Sequence, residues 1–291
     1  MPTLQVKTLT AYRARTFRTQ PGLRLTQREQ AVDFVNERGF VYFWPIRDTL
    51  LPSLWVAVAG DRPVADQHDD PGHITWGWKD ALLGSREWYY AKVLRKKATM
   101  IAMPVASYFY ALSENYGSPE EDYLTIYEQG RLTQEAKAVY EAILDNGPLD
   151  TIALRKAARL SSPESEARFN KAVADLQADF KLVPVAVAEA GAWRYAFVYD
   201  IVARHYPEIP EKARWINETS ARRELTRHYF QSVGAAQVSD VVKLFHWKVS
   251  QVEQAVGELA QSGLLDLGIQ MENQRGEWLA LAELMEYRSL T

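Results

Sequence analysis

From Glu224 to Leu281 the apolar residues fall into three short helical faces followed by two extended runs, and no other feature of the chain restricts its fold as much. Leu225, Tyr229 and Val233 mark the first face, Val241, Leu244 and Phe245 the second, and Val249, Val252, Val256 and Leu259 the third. Steps of three and four residues keep each set on one side of a helix. Gly234-Ala235-Ala236 breaks the first helix from the second, and Gly263 follows the third, where a positive φ costs glycine little. The apolar runs Leu264 to Met271 and Trp278 to Leu281 enclose Glu272-Asn273-Gln274-Arg275-Gly276, which reads as a hairpin turn. Helix, helix, helix, hairpin is the order of a winged helix, a nucleic-acid-binding architecture. The pattern leaves open whether the chain also catalyses a reaction.

The same order occurs earlier. Val139 and Ile143 mark a first helix ended by Asn146-Gly147-Pro148, Asp150 caps a second through Ile152, Leu154 and Ala157, and Ser162 with Pro163 opens a third. Phe169, Val173, Leu176 and Phe180 step by four, three and four. Val183 to Ala188 and Trp193 to Tyr199 then read as wing strands around Glu189-Ala190-Gly191-Ala192, which places Trp193 and Trp278 at equivalent positions. Two copies of one unit make a chance pattern harder to sustain. His205 to Pro210 reads as a linker between them, and Gly117-Ser118-Pro119-Glu120 as the earlier boundary. The expected fold is therefore α+β, mainly helical, with tandem winged-helix domains: 1–118 with an aromatic and basic cleft, 119–210 and 211–291. A length of 291 residues fits two or three such small domains.

Composition narrows the function. A formal net charge of −3 excludes a uniformly basic nucleic-acid coat, so contacts with a polyanion must come from local patches. The absence of cysteine removes disulfides, thiolate metal sites and thiol nucleophiles together. No apolar run reaches the roughly 18 residues of a membrane span, and the first twenty residues lack the apolar core of a signal peptide. The expectation is a cytoplasmic protein without a membrane partner.

The first thirty residues carry Lys7, Arg13, Arg15, Arg18, Arg24 and Arg28 against the single acid Glu29, the balance of a phosphate-contacting arm or of a solvated one. Thr26 and Glu29 have capping-box spacing ahead of a helix with Ala31, Phe34 and Val35 on its inner face, stopped at Gly39. Phe40-Val41-Tyr42-Phe43-Trp44-Pro45 is too apolar for a surface loop, and a second helix is expected over Leu51 to Ala59. His68-Asp69-Asp70-Pro71-Gly72-His73 has metal-ligand residue types, but Pro71 and Gly72 prevent a helix from fixing them and no third histidine is near. Neither a metal nor a cofactor is expected. Trp76, Trp78, Trp88, Tyr89 and Tyr90 are interleaved with Lys79, Arg86, Lys92, Arg95, Lys96 and Lys97, a mixture that serves base stacking and phosphate pairing or, alternatively, a tryptophan-rich core with a basic solvent face. The third helices are weakly basic: Arg168 and Lys171 in one, Lys248 in the other, with Arg194 on the first wing. Candidate nucleic-acid contacts are thus Arg13, Arg15, Arg18, Trp76, Trp78, Lys79, Lys92, Arg95, Lys96, Lys97, Arg168, Lys171 and Arg194.

Ala221-Arg222-Arg223-Glu224-Leu225 leading through Gly234 to Asp240-Val241-Val242 resembles the last winged helix of the AlkZ/YcaQ group, bacterial winged-helix DNA glycosylases that excise alkylated or crosslinked bases. Gly147-Pro148-Leu149 and Trp193-Arg194-Tyr195 resemble the middle unit. The resemblance implies a double-stranded DNA partner, damaged or intact, and a catalytic Gln-apolar-Gln or Gln-apolar-Asp triplet after the first long helix. Tyr42-Phe43-Trp44 stands at that place, with neither polar member present. A phenol with a pKa of about 10 is a poor base near neutrality, and an indole donates without accepting. A catalytic role would fall to Asp69 or Asp70, then Asp48. The alternatives are a non-catalytic regulator or architectural module, and a metal-dependent hydrolase using His68 to His73.

Overall fold

A computed structural model of the chain describes residues 2–191 and 194–286. Its contacts form two compact units, one of Met1–Gly77 with Glu218–Thr291 and one of Trp78–Asn217. This grouping differs from three consecutive domains divided at 118 and 210, and the interactions below give the reason.

The first segment opens with β1 (Thr3–Leu4) and α1 (Val6–Thr16), a helix whose sparse apolar positions Leu9 and Tyr12 gave little periodic signal in the sequence. In α2 (Arg28–Arg38), Ala31, Phe34 and Val35 are buried as expected. Its capping box lies one residue later than Thr26 and Glu29 predict: Gln27 is the N-cap, and the Gln30 side chain accepts from the Gln27 amide at 3.2 Å and the Thr26 amide at 2.8 Å. After Gly39 come β2 (Phe40–Tyr42), α3 (Leu54–Ala59) and α4 (Ile74–Ala81).

In the second unit β3 (Tyr89–Lys92) and β4 (Ala98–Ile101) form an antiparallel hairpin, followed by α5 (Met103–Tyr110). Then come α6 (Pro119–Glu128) and the middle repeat: α7 (Gln134–Asn146), β5 (Leu149–Asp150), α8 (Thr151–Ala157), α9 (Glu166–Ala178), β6 (Leu182–Ala188) and β7 (Ala196–Ile201). Val139, Ile143, Leu154, Phe169, Val173 and Leu176 share its core. The β3–β4 hairpin belongs with this repeat because the Lys92 amide donates to Gln177 Oε1 at 3.0 Å and Tyr89 stacks on Phe180 at 4.7 Å. The expected linker at His205 to Pro210 is instead folded into α10 (Val202–His205) and α11 (Glu208–Ala213), with Tyr206 and Ile209 buried. Pro207 and Pro210 lie at the N-terminal end of α11, where no intrahelical bond needs their amide.

The last segment holds the clearer copy: α12 (Glu218–Val233), β8 (Ala235–Ala236), α13 (Val238–Phe245), α14 (Val249–Gln261), β9 (Leu265–Met271), β10 (Trp278–Leu281) and α15 (Glu283–Glu286). Val252, Val256 and Leu259 are buried, and Trp278 is buried at the start of β10. Trp193, its expected counterpart, lies outside the described residues. The short strands β5 and β8 are equivalent, each following the first helix of its copy and pairing antiparallel with the copy's last strand. No helix among the described residues is long and apolar enough to cross a membrane.

The N-terminal helices join the last segment by capping α12. Gln231 O accepts from Tyr12 Oη at 2.8 Å and Arg38 Nη1 at 2.7 Å, and Ser232 O accepts from Thr16 Oγ1 at 2.7 Å. Val233 O and Ala235 O accept from Arg13 Nε and Nη2 at 2.9 and 2.7 Å. Carbonyls at a helix C-terminus lack intrahelical donors, so these side chains supply what the helix cannot. Gly234 has φ 76°, and a Cβ there would meet Tyr12 Cδ1 at 2.8 Å. In the same unit α1 leads in from β1, which pairs parallel with β9.

Two outcomes follow from this junction. Arg13→Ala should lower unfolding stability by roughly 1.5–3 kcal/mol in a urea titration, since it removes two charge-assisted bonds from helix-end carbonyls. His228 on α12 sits against Gly39, and burial together with the charges of Arg227 and Arg38 depresses its pKa to about 4. Its folded value lies below the unfolded 6.5, so the unfolded chain binds the extra proton as pH falls. The stability it contributes is complete above pH 6.5 and declines as pH drops toward 4. Roughly 2 kcal/mol should be lost between pH 7 and 5, and His228→Asn should flatten that slope.

Candidate functional site

The stretch that stands where the resemblance places a catalytic triplet is held by its neighbours in the first unit. The Tyr42 amide donates to Pro52 O at 2.9 Å and the Trp55 amide to Phe43 O at 3.0 Å, so residues 42–43 run beside the start of α3. Ser53 caps α3 by accepting from the Val56 amide. This pairing leaves the Tyr42 side chain fully buried and turns Trp44 toward the surface, half-buried. The Trp44 ring lies 5.6 Å from Trp76 and 5.2 Å from Phe43, and Phe43 meets Trp76 edge-on at 6.1 Å. The result is a surface of two half-buried indoles over a buried phenyl ring.

Behind it, Trp55 organises the loop from Gly60 to His73. Its Nε1 donates to Arg62 O at 3.2 Å, the Arg62 guanidinium lies 5.0 Å over its ring, and His73 packs against it at 5.2 Å. A Cβ on Gly72 would meet the Trp55 ring at 2.8 Å, which explains glycine there. Asp70 Oδ1 accepts from Arg62 Nη2 at 2.6 Å and from the Gly72 amide at 2.8 Å, capping the turn Pro71–His73. His73 Nε2 lies 2.9 Å from Ala65 O, which assigns the proton to Nε2 and leaves Nδ1 as a buried acceptor. Trp55 and Arg62 are not singled out by the sequence, and His73 is singled out there only as a metal-ligand type, because their roles depend on one another; the one usable signal was a tryptophan just inside a capped helix.

The carboxylates differ in setting. The Arg62 hydrogen bond, with the Gly72 amide, holds Asp70 below the usual carboxylate range, the opposite of what a general base near neutrality needs. Asp69 is exposed on the same loop. Asp48 is exposed in a left-handed turn with Arg47 at 3.8 Å. Among the described residues no hydrogen bond or ion pair links Asp48 to Asp69 or Asp70. No group of three or more histidine, cysteine, aspartate or glutamate side chains able to hold a metal occurs among the described residues.

Several cations expected at a DNA surface are engaged within the protein. Arg13 is bound to helix-end carbonyls, and Arg18 pairs with Glu37 at 2.8 Å, while Arg15 is exposed beside the Tyr12 ring. In the second unit Trp78 is buried, and Lys79 is only 1% exposed: its Nζ lies 2.7 Å from Asp80 and donates to Tyr195 Oη at 2.8 Å, over the rings of Tyr90, Tyr195 and Phe197. Burial lowers its pKa against the opposing pull of Asp80. Lys79 is therefore an internal tie, because a residue so enclosed cannot reach a phosphate. Lys96 and Lys171 converge on Asp175, Arg168 pairs with Glu135 at 3.1 Å, and Arg194 pairs with Glu189. Lys92 and Lys97 are exposed, and Arg95 is half-buried in a left-handed conformation.

The model of the family described as AlkZ related matches residues 25–246, which include this aromatic stretch, the middle repeat and the start of the last one. The chain belongs to the AlkZ-related family. Among solved structures it is similar to the Streptomyces sahachiroi DNA glycosylase AlkZ, with a TM-score of 0.61 and 13% identity over 99% of this chain and 73% of that one. At that identity the likeness is one of fold. No curated protein sequence matches the chain. Within the AlkZ-related fold, Asp70 is the strut of the loop under Trp76. Asp70→Ala should expose residues 60–73 to limited proteolysis well before the rest of the chain, and Asp69→Ala should not.

Proposed function

We propose that this AlkZ-related chain binds double-stranded DNA, damaged or intact, and receives a displaced base on the Phe43, Trp44 and Trp76 surface, with base excision absent or strongly reduced. The observation that carries the reading is the Trp44–Trp76 pair, two half-buried indoles 5.6 Å apart, with Trp44 in the segment where the resemblance calls for a water-orienting pair. Aromatic faces stack on a base of any identity, and a glycosylase-like fold must take its base out of the stack to act on it. Excision needs in addition an acceptor that orients or deprotonates water. Trp44 has none to offer, Tyr42 is enclosed, and Asp70 is bound by Arg62. Any residual excision would run through Asp69, with Asp48 second and Asp70 only if released from Arg62. Binding would draw on Arg15, Lys92 and Lys97, whose exposed charges fit phosphates, and Arg95 beside them.

The test incubates the protein with alkylated and crosslinked duplexes, cleaves abasic sites with alkali, and measures binding in parallel. Binding should persist with strand cleavage near background, and each phosphate neutralised should add about 0.9 to the slope of log K against log salt. Trp44→Ala should weaken binding to a duplex with a displaced base by about 1–3 kcal/mol. Robust cleavage by the wild type that survives Asp48→Asn, Asp69→Asn and Asp70→Asn would overturn the chemical half of the proposal. Failure to bind any duplex would overturn the other half.

A further inference from the structure

Trp215 is 88% exposed, the most open large apolar side chain among the described residues. It stands just beyond α11 on a backbone that is fixed: the amides of Arg214, Trp215 and Ile216 donate to Pro210 O, Lys212 O and Ala213 O at 3.2, 3.2 and 3.0 Å. Ile209 and Ala213 anchor the opposite face of α11 in the core. A rigid mount therefore holds a whole indole in water, at the cost of leaving its apolar surface unburied.

The charges nearest it in sequence that no ion pair occupies among the described residues are two cations and one acid. Lys212 and Arg214 are exposed and form no ion pair among the described residues. On α11, Glu208 is taken by Arg86 at 3.0 Å, which leaves Glu211 as the remaining acid of that helix. This is the aromatic and cationic mixture that the sequence offers at residues 76–97, but with its members open to solvent, where Trp78 and Lys79 are buried and Lys96 is paired. A protein partner would need a contiguous apolar patch, yet Ile216 on one side of the indole is half-buried and Arg214 on the other carries charge. One indole does match the face of one nucleobase.

We propose that Trp215, with Lys212 and Arg214 just before it in the chain, is a base-stacking contact for DNA that presents an open base face: a single strand, a gap, or the vacancy opposite a displaced base. Intact duplex covers its base faces, so the contact discriminates open from closed DNA. The inference rests on the DNA-binding reading above and adds a second contact, separate from Trp44 and Trp76.

The experiment measures affinity for three DNAs of one sequence: intact duplex, the same duplex with a single abasic analogue, and the single strand. Wild type is compared with Trp215→Ala, Trp215→Phe and the pair Lys212→Ala with Arg214→Ala, each checked for an unchanged melting temperature. Trp215→Ala should weaken binding to the two open DNAs by about 5- to 150-fold, the range for loss of one stacked base, and leave intact duplex within about twofold. Trp215→Phe should restore most of the loss. The double lysine and arginine variant should weaken all three and lower the salt slope. Equal affinities of wild type and Trp215→Ala for open DNA would overturn this inference and leave duplex binding standing. A Trp215→Ala variant that alters only self-association, seen by sedimentation, would assign the indole to a second copy and also overturn it. Wild type that binds none of the three DNAs would overturn both readings.

Discussion

The first unit depends on the satisfaction of one helix end. Four side chains from two N-terminal helices, Tyr12, Arg13, Thr16 and Arg38, donate to carbonyls at positions 231, 232 and 233, where α12 runs out of its own donors, and Arg13 also donates to the carbonyl of Ala235 in β8. Buried carbonyls without partners are costly, and charged donors give the strongest of these bonds. The same contact explains why residues more than two hundred positions apart fold as one body. It also positions Gly39, whose turn against His228 delivers the chain into Phe40 and the aromatic stretch that follows.

In the second unit, buried ammonium groups do a comparable job. Lys79 lies between Asp80 and Tyr195 over three aromatic rings, and Lys181, 2% exposed, pairs with Asp179 at 2.9 Å while donating to Glu114 O and Asn115 Oδ1. Removing either partner of such a pair leaves an uncompensated buried charge, so both partners are constrained together. A chain of net charge −3 thereby commits a share of its cations to its own architecture. Those left in solvent, among them Lys97, Lys212 and Arg214, are the ones available to a polyanion.

The aromatic surface of the first unit rests on a loop whose rigidity comes from Trp55. Arg62 covers that ring, Asp70 ties Arg62 to the turn at Gly72, and the turn leads directly into the helix that carries Trp76. Recognition by stacking, as proposed for this surface, requires shape and rigidity. Water activation requires in addition a correctly placed acceptor of suitable basicity. Asp70, on the loop that leads into Trp76, is committed to stabilising that loop.

The sequence by itself determined the elements with strong period. The helices carrying Val139, Phe169, Leu225 and Val252, and the hairpin whose second strand begins at Trp278, follow from apolar residues repeating every three or four positions and from turn residues whose preferences are local. It did not determine α1, whose buried residues are too few to show a period, or α10 and α11, whose prolines imitate a linker until tertiary contacts bury Tyr206 and Ile209. Nor did it determine which cations face solvent. Lys79 and Lys97 are alike as letters, but one is enclosed by Tyr90, Tyr195 and Phe197 and the other is exposed, because burial is set by residues more than a hundred positions away. Trp215 is the converse case: a residue type usually drawn into the core is held out in water by a helix whose other face is the one the core needs.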